Sequence, residues 1–477
     1  MRHRREYFRI KKFARRYDRE SGKFTFNISY ETKTDITDRT VEVAEAFGMG
    51  ISDYQEHVLY DNVELKIGPT DIVYLTGDSG SGKSVLLKAI VGDLKSGEAA
   101  RLSEVKVDPD KPLIDTVGAT VEEGLKLLSK VGLNDAFLFV RRYSQLSDGQ
   151  KYRYRLAKLI ESGAQWWIMD EFCATLDRET AKIVAYNVQK LARQLGKAVV
   201  AATTHIDLFD DFGPSVHIHK RFGKEITVHY YPNQLRNQCS LLEEMTVEEG
   251  TYEDWKDVSG FHYRSHRIAF LQKIFVLKRK DQVCGAVVYT YPMSAAPFRN
   301  SVVKFGNMKE LNEKLARVSR VVVHPKYRTI SASVKLLKDS LPLCGREYVE
   351  MIAVMARYNP FAEHAGMTKV GESQPDRSIL KAIEKLEQLG FASYLLSVPD
   401  YSKRKLESKI LRVKEILRDF SYPYNRRIAG SHGNFKNKDY RKWLEYADTK
   451  ELSKALTRLS QLNQPKSYLI WQNLEKT

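Results

Sequence analysis

Gly77-Asp78-Ser79-Gly80-Ser81-Gly82-Lys83-Ser84 fits the pattern G-x-x-x-x-G-K-[ST] without a mismatch. The apolar run before it, Ile72-Val73-Tyr74-Leu75, reads as a buried strand. Val85-Leu86-Leu87-Lys88-Ala89-Ile90 follows and reads as the start of a helix. Strand, glycine-rich loop and helix in this order make a phosphate cradle. The glycines let the backbone wrap closely, successive N–H groups point inward, and the helix N-terminus adds its positive end. Lys83 is expected to reach the β and γ phosphates of a nucleoside triphosphate, and the Ser84 hydroxyl to bind Mg²⁺.

Four further segments follow in order. Leu146-Ser147-Asp148-Gly149-Gln150 lies 62 residues after Ser84 and opens a helical pattern. Gln165-Trp166-Trp167-Ile168-Met169-Asp170-Glu171 is an apolar strand ending in two acids. Asp170 is expected to hold Mg²⁺ through water, and Glu171 to polarise an attacking water as general base. Ala174-Thr175-Leu176-Asp177 comes next, and Ala198-Val199-Val200-Ala201-Ala202-Thr203-Thr204-His205 is another apolar strand, ending in a histidine.

These five motifs in this order resemble the ABC ATPase family over roughly residues 40–235. Leu146–Gln150 is similar to the family's LSGGQ signature, with Asp148 in place of the first Gly. The resemblance implies that Ser147 and the Gly149 backbone bind the γ-phosphate held by another copy. The partner it implies is therefore a second copy of the chain, joined on ATP binding. It further implies that Asp177 belongs to the D-loop at the partner and that His205 senses the γ-phosphate. An aromatic that stacks on adenine is implied some 35 residues before Lys83; Phe47 is the expected one and Tyr54 the alternative. The Q-loop glutamine is missing from Val105–Ile114, where Asp108 is the expected stand-in. That departure weighs against the alternative that the chain is the ATP-binding subunit of a transporter.

The second half carries a different pattern. Lys273–Leu277 and Val283–Pro292 read as a hairpin, Ser319–Pro325 as a strand, Val334–Leu341 as a helix and Tyr348–Val354 as a strand. This order resembles a GNAT-type acetyltransferase over roughly residues 238–400. In that family a V-x-P-x-Y-R-x-x-G-x-G loop binds the pyrophosphate of acetyl-CoA. Here Val323, Pro325, Tyr327 and Arg328 match, and Ser331 and Ser333 replace the two glycines. Val323, Arg328, Ser331 and Ser333 are thus the expected acyl-CoA residues. Ala362 stands where the family often has its acidic tyrosine, so His262, Tyr263 and His364 are the expected proton-transfer groups. The whole resembles a mainly archaeal family in which an ABC-type ATPase is fused to a predicted acetyltransferase domain, from about Val41 to about Tyr401.

The 477 residues suffice for two or three domains. No run of 18 apolar residues predicts a membrane span, and no apolar stretch near the N-terminus predicts a secretory signal. Four dispersed cysteines without a C-x-x-C pair predict reduced thiols in a cytoplasm and no zinc. The net charge of +17 is uneven. Residues 1–250 carry 36 basic and 37 acidic side chains, and residues 251–477 carry 41 and 23. Residues 401–477 interleave 18 basic side chains with Tyr401, Phe420, Tyr422, Tyr424, Phe435, Tyr440 and Trp443, which suits nucleic acid as a partner. Within it, Leu406, Ile410, Leu411, Val413, Ile416 and Leu417 can instead form a helical core stripe.

The expected fold class is α/β: an ABC-type P-loop ATPase domain, then an α+β GNAT-like domain and a basic helical tail. The expected boundaries are a basic N-terminal arm at 1–39, the ATPase domain at 40–237, the GNAT-like domain at 238–400 and the helical extension at 401–477. ATP and Mg²⁺ are the expected cofactors, with an acyl donor such as acetyl-CoA for the second half.

Overall fold

The computed structural model describes residues 8–18, 20, 23–32, 35–50, 59–61, 63–92, 94–133, 136–261, 268–354, 356, 359–419, 424–431 and 435–474. The chain divides into two compact units. The first comprises 1–268, 273–287 and 320–340; the second comprises 269–272, 288–319 and 341–477.

Residues 8–18 and 23–32, expected within a basic N-terminal arm, form paired strands. β1 (Phe8–Asp18) and β2 (Lys23–Thr32) are antiparallel, and β2 pairs in turn with β3 (Val63–Ile67). A backbone that joins a ladder satisfies its N–H and C=O groups there, whatever its charge. Basic composition therefore did not distinguish a strand from an arm.

The nucleotide-binding motifs lie on a six-stranded sheet. Its strands are β4 (Ile72–Gly77), β5 (Ala99–Arg101), β6 (Trp166–Met169), β7 (Ala198–Thr203), β8 (Val216–Lys220) and β9 (Ile226–Tyr230). Their order is β5-β6-β7-β4-β8-β9, parallel except for the antiparallel β8–β9 pair. A parallel sheet needs cover on both faces, which is why β4, β6 and β7 read as continuous apolar runs. Alternate residues feed two cores. Tyr74, Trp167, Met169 and Val199 enter one with Leu128, Tyr154 and Val188. Val73, Leu75, Trp166 and Val200 enter the other with Leu86 and Ile90, from helix Lys83–Gly92, and with Leu65 of β3. The sheet thus holds the ends of β4, β6 and β7, which bear Gly77, Asp170 and His205, at one edge.

The remaining strands are β10 (Met245–Glu249), β11 (Leu271–Arg279), β12 (Gln282–Thr290), β13 (Leu315–Val323), β14 (Tyr348–Ala353), β15 (Thr368–Ser373) and β16 (Lys466–Gln472). Their order is β10-β11-β12-β13-β14-β16-β15. The strands expected at 273–277, 283–292, 319–325 and 348–354 all appear, as does the expected helix, at Ala332–Leu343. The chain's end departs from expectation. β16 lies between β14 and β15 and is antiparallel to both, so the tail is not wholly helical.

In the second unit, β14 carries Glu350, which is 0% exposed. Arg299 grips it with a fork, Nε to Oε2 at 2.9 Å and Nη2 to Oε1 at 2.7 Å, and Tyr468 of β16 donates to Oε2 at 3.1 Å. The helices of residues 377–462 form a separate core in this unit. It holds Leu406, Val413, Ile416, Leu417 and Tyr440, with Tyr401, Tyr424, Phe435 and Trp443 packed against it. The stripe reading is therefore right for Leu406 through Leu417 except at Leu411, which is 73% exposed. Tyr440 is buried in this core, and the other aromatics named here are partly buried against it. Phe420 and Tyr422 lie outside the described residues.

Candidate functional site

The phosphate loop takes its shape from three glycines. Gly77 has φ +144°, and a Cβ there would sit 1.9 Å from the Lys220 carbonyl oxygen of β8. Gly80 and Gly82 have φ +78° and +99°. No L side chain satisfies the first position, and the others favour glycine strongly. Tyr60 donates to the Gly82 carbonyl at 2.7 Å and pins the loop's last turn.

Within this loop Ser81 is buried, and its Oγ has no hydrogen-bond partner. A buried hydroxyl without a partner costs stability unless something else supplies one. Lys83 curls back, donating from Nζ to the carbonyls of Gly77 at 2.8 Å and Asp78 at 2.6 Å. Burial lowers its pKa, against the pull of Asp78 and Asp170. Ser84 Oγ donates to Asp170 Oδ1 at 3.2 Å, and that oxygen also accepts from the Glu171 N–H at 3.0 Å. The pair expected to share Mg²⁺ is thus already adjacent. An orphaned hydroxyl, a cradle that excludes Cβ atoms and an O-donor pair all fit a triphosphate with Mg²⁺.

Glu171 is exposed and has φ +51°, and Cys173 has φ +57°. The backbone therefore turns sharply past the acid. Phe172 N–H donates to the Ala202 carbonyl of β7 at 2.7 Å, tying this turn to the strand that leads to His205. Tyr74 donates to the His205 carbonyl at 2.5 Å, and the His205 N–H donates to Thr203 Oγ1 at 3.2 Å. Thr76, just before Gly77, meets His217 Nε2 at 2.9 Å and His219 Nδ1 at 3.0 Å. His217 is pushed down to about 4, by burial first and then by His219 and His229, so it adds no positive charge beside the loop at neutral pH.

Helix Asp148–Glu161 begins at Ser147, whose Oγ accepts from the Gln150 N–H while Gln150 Oε1 accepts from the Ser147 N–H. This is a capping box on the signature segment. Leu146 is buried beneath it, and Ser147 and Asp148 are exposed. Helix Arg178–Gln194 begins at Asp177, whose Oδ1 accepts from the Thr180 N–H at 3.1 Å.

A family model described as ABC transporter matches residues 60–174. The cytochrome c biogenesis ATP-binding export protein of Gluconobacter oxydans is 31% identical over 169 residues, covering 32% of this chain and 77% of that protein. The chain belongs to the ABC ATPase family. The phosphonates import ATP-binding protein of Cupriavidus metallidurans is 28% identical over 230 residues, covering 38% of this ABC ATPase and 80% of that protein. A dimeric ATP-binding cassette in a post-hydrolysis state with ADP and Pi matches at 18% identity, with TM-score 0.32, covering 42% of this chain and 95% of that one. Membership of this family implies use of ATP and Mg²⁺, and hydrolysis. Among the described residues, no helix is long and apolar enough to cross a membrane.

The structure places the other expected residues unevenly. Phe47 caps the end of helix Asp38–Ala46 with its side chain 77% exposed, and Tyr54 lies outside the described residues. A further aromatic that sequence reasoning missed, Phe222, stands near the loop and is 64% exposed: a Cβ on Gly80 would lie 3.9 Å from its Cε1. It comes 139 residues after Lys83, where no motif marks it. Asp108 turns onto its own backbone, accepting from Asp110 N–H at 3.1 Å and pairing with Lys111 at 3.4 Å.

In the second half, Val323 is buried and accepts from Arg328 Nε at 3.2 Å through its carbonyl. Ser331 has φ +68° just before helix Ala332–Leu343, the backbone region that a glycine at this position of the motif favours. Ser333 is half-buried in the first turn of that helix, and His364 is exposed on the short helix Phe361–His364. His262 and Tyr263 lie outside the described residues.

Sequence reading also missed a set of contacts made by the segment between Val323 and Ser331. Lys326 Nζ lies 2.9 Å from Asp177 Oδ1 and 2.6 Å from Glu179 Oε2. Tyr327 donates to Glu179 Oε2 at 3.1 Å, and Arg279 Nη1 donates to Glu179 Oε1 at 2.5 Å. Arg153 reaches the carbonyls of Pro325 and Lys326, and Asn187 Nδ2 donates to Thr329 Oγ1 at 2.6 Å. The Lys326 ammonium, ahead of Arg279 and Tyr327, holds Glu179 down to about 2. Burial would raise Asp177, but Thr180 and Lys326 outweigh it and bring it to about 2 as well.

Proposed function

We propose that two copies of this ABC ATPase close around two ATP·Mg²⁺, each completing the other's phosphate site, and that closure and hydrolysis act on the second half of the chain. The exposed helix start at Ser147 carries this reading, because the positive end of a helix facing outward favours an anion from elsewhere, even with the Ser147 and Gln150 N–H groups engaged in the capping box. Asp148 adds a carboxylate there, so the γ-phosphate contact falls to the Ser147 hydroxyl and the Gly149 N–H. Lys83 and the loop N–H groups hold the β and γ phosphates, Ser84 and Asp170 hold Mg²⁺, and Phe47 or Phe222 stacks on the base. Mg²⁺, when bound, neutralises charge developing on the phosphates. Glu171 takes a proton from the attacking water, His205 contacts the γ-phosphate, and Asp177 faces the partner copy. Light scattering of a hydrolysis-slowed Glu171→Gln chain should show a mass near twice that of the 54.9 kDa monomer with ATP and Mg²⁺, and the monomer mass without. A monomer under both conditions refutes the sandwich.

A transporter subunit is the second reading, supported by the relatives' import and export names. Asp108, folded onto its own turn where that role calls for a glutamine, weighs against it.

For the second half, the GNAT-like strand order and the glycine-like φ of Ser331 support an acyl-CoA site at Val323, Arg328, Ser331 and Ser333, with His262, Tyr263 or His364 moving the proton. The excess of 41 basic over 23 acidic residues in 251–477 supports nucleic acid as the acceptor or anchor, in a cytoplasmic setting. Calorimetry with acetyl-CoA, with and without duplex DNA or RNA at low salt, should give saturable heat for both ligands. Absence of heat from acetyl-CoA leaves a binding module without transfer chemistry, and absence from both nucleic acids removes that partner.

A further inference from the structure

The first turn of helix Arg178–Gln194 is tied in three directions. Backward, Asp177 lies six residues after Glu171 along a tight, hydrogen-bonded turn: Ala174 N–H donates to the Glu171 carbonyl at 3.0 Å and Leu176 N–H to the Cys173 carbonyl at 3.2 Å. Phe172, Cys173 and Leu176 are buried, so this turn has little room to shift by itself. Sideways, Arg178 forms a fork on Asp207, two residues past His205, with Nε to Oδ2 at 2.9 Å. Toward the second half of the sequence, Asp177 and Glu179 are both held by Lys326, with Tyr327 and Arg279 on Glu179. Arg279 in turn pairs with Glu244 at 2.7 Å, so Glu179 sits inside a network rather than in an isolated pair.

We infer that Lys326 is a positioning residue for ATP hydrolysis: by holding Asp177 and Glu179 it fixes the turn that carries Glu171. The inference rests on the proposed catalytic role of Glu171. The segment is built for the task. Thr329 and Ser331 take φ +83° and +68°, conformations that L residues adopt only where surroundings enforce them. The enforcing contacts are the buried Arg153 and Asn187 of the ATPase helices. A Cβ on Gly132 would lie 2.9 Å from the Thr329 methyl, so the backbone there approaches closely too. The matched loop whose family role is to hold an acyl-CoA pyrophosphate thus turns Lys326 and Tyr327 onto the D-loop.

The test is steady-state phosphate release by the whole chain over a range of ATP concentrations. Lys326→Ala should lower kcat roughly tenfold with KM nearly unchanged, a loss that misplacement of a reacting group by a fraction of an ångström can produce. Lys326→Arg, which keeps the charge and reach, should recover most of it. Asp177→Asn retains the helix cap, and adding it to Lys326→Ala should cost much less than the product of the two single losses. If Lys326→Ala fails to fold, Lys326→Gln carries the same test. A kcat within twofold of wild type, a rise in KM alone, or a Lys326→Arg chain as slow as Lys326→Ala would each overturn the inference. An inactive wild-type chain would sink the hydrolysis reading along with it, whereas an active wild type with unaffected variants sinks this inference only.

Discussion

Replacing Glu171 with glutamine is expected to cut ATP turnover by about 10²–10⁴-fold, the usual contribution of a positioned general base. The change removes one charge and the ability to take a proton, and leaves size and shape intact. Glu171 is exposed at the end of β6, and its own N–H is engaged by Asp170, so neither packing nor the Mg²⁺ pair depends on its carboxylate. ATP affinity should therefore hold while turnover collapses. Phosphate release and equilibrium binding of a fluorescent ATP analogue separate the two. Turnover within about tenfold of wild type would show that the proton goes elsewhere. Lost binding would show that Glu171 holds nucleotide rather than water.

The second large effect concerns stability. Arg299→Ala is expected to destabilise the second unit by about 3–5 kcal/mol, because it strands Glu350 as an uncompensated charge in the sheet interior. Arg299 is 3% exposed, and its Nη1 also donates to the Ser294 carbonyl at 3.2 Å. Tyr468 remains as the carboxylate's neighbour, and its phenol is itself held neutral by burial and by Glu350. Replacing the whole group, Arg299→Met and Glu350→Leu with Tyr468→Phe, should restore most of the loss, since three apolar side chains need no partner, whereas leaving Tyr468 in place would orphan its buried hydroxyl. Urea unfolding followed by circular dichroism measures both. A loss below about 1 kcal/mol for Arg299→Ala would show that water reaches Glu350 once the guanidinium is gone.

Not every site residue was equally legible. The phosphate loop could be read because its geometry is local: Gly77, Gly80 and Gly82 are needed where φ is positive, and chain order alone puts Lys83 and Ser84 at a helix start. Aromatics near the loop are not all local in sequence. Phe47 satisfies a spacing rule and is 77% exposed, while Phe222, 64% exposed, reaches the loop because β8 lies beside β4. The tail shows the same limit in composition. Basic residues with interleaved aromatics fit a nucleic-acid surface and a helical bundle alike, and only the packing shows that Tyr440 and Trp443 belong to a helical core. The pairing of β2 with β3 and the return of β16 were hidden because a β ladder takes its partner from anywhere in the chain.

Taken alone, the amino-acid order determined the ATPase class, the phosphate loop, the paired acids and the strand-bearing histidine. Each is a short motif whose chemistry follows from neighbouring residues along the backbone. Only the tertiary structure decided what Lys326 does. Its carboxylate partners lie about 150 residues earlier in the sequence, and an ion pair depends on distance in space, which residue spacing does not encode.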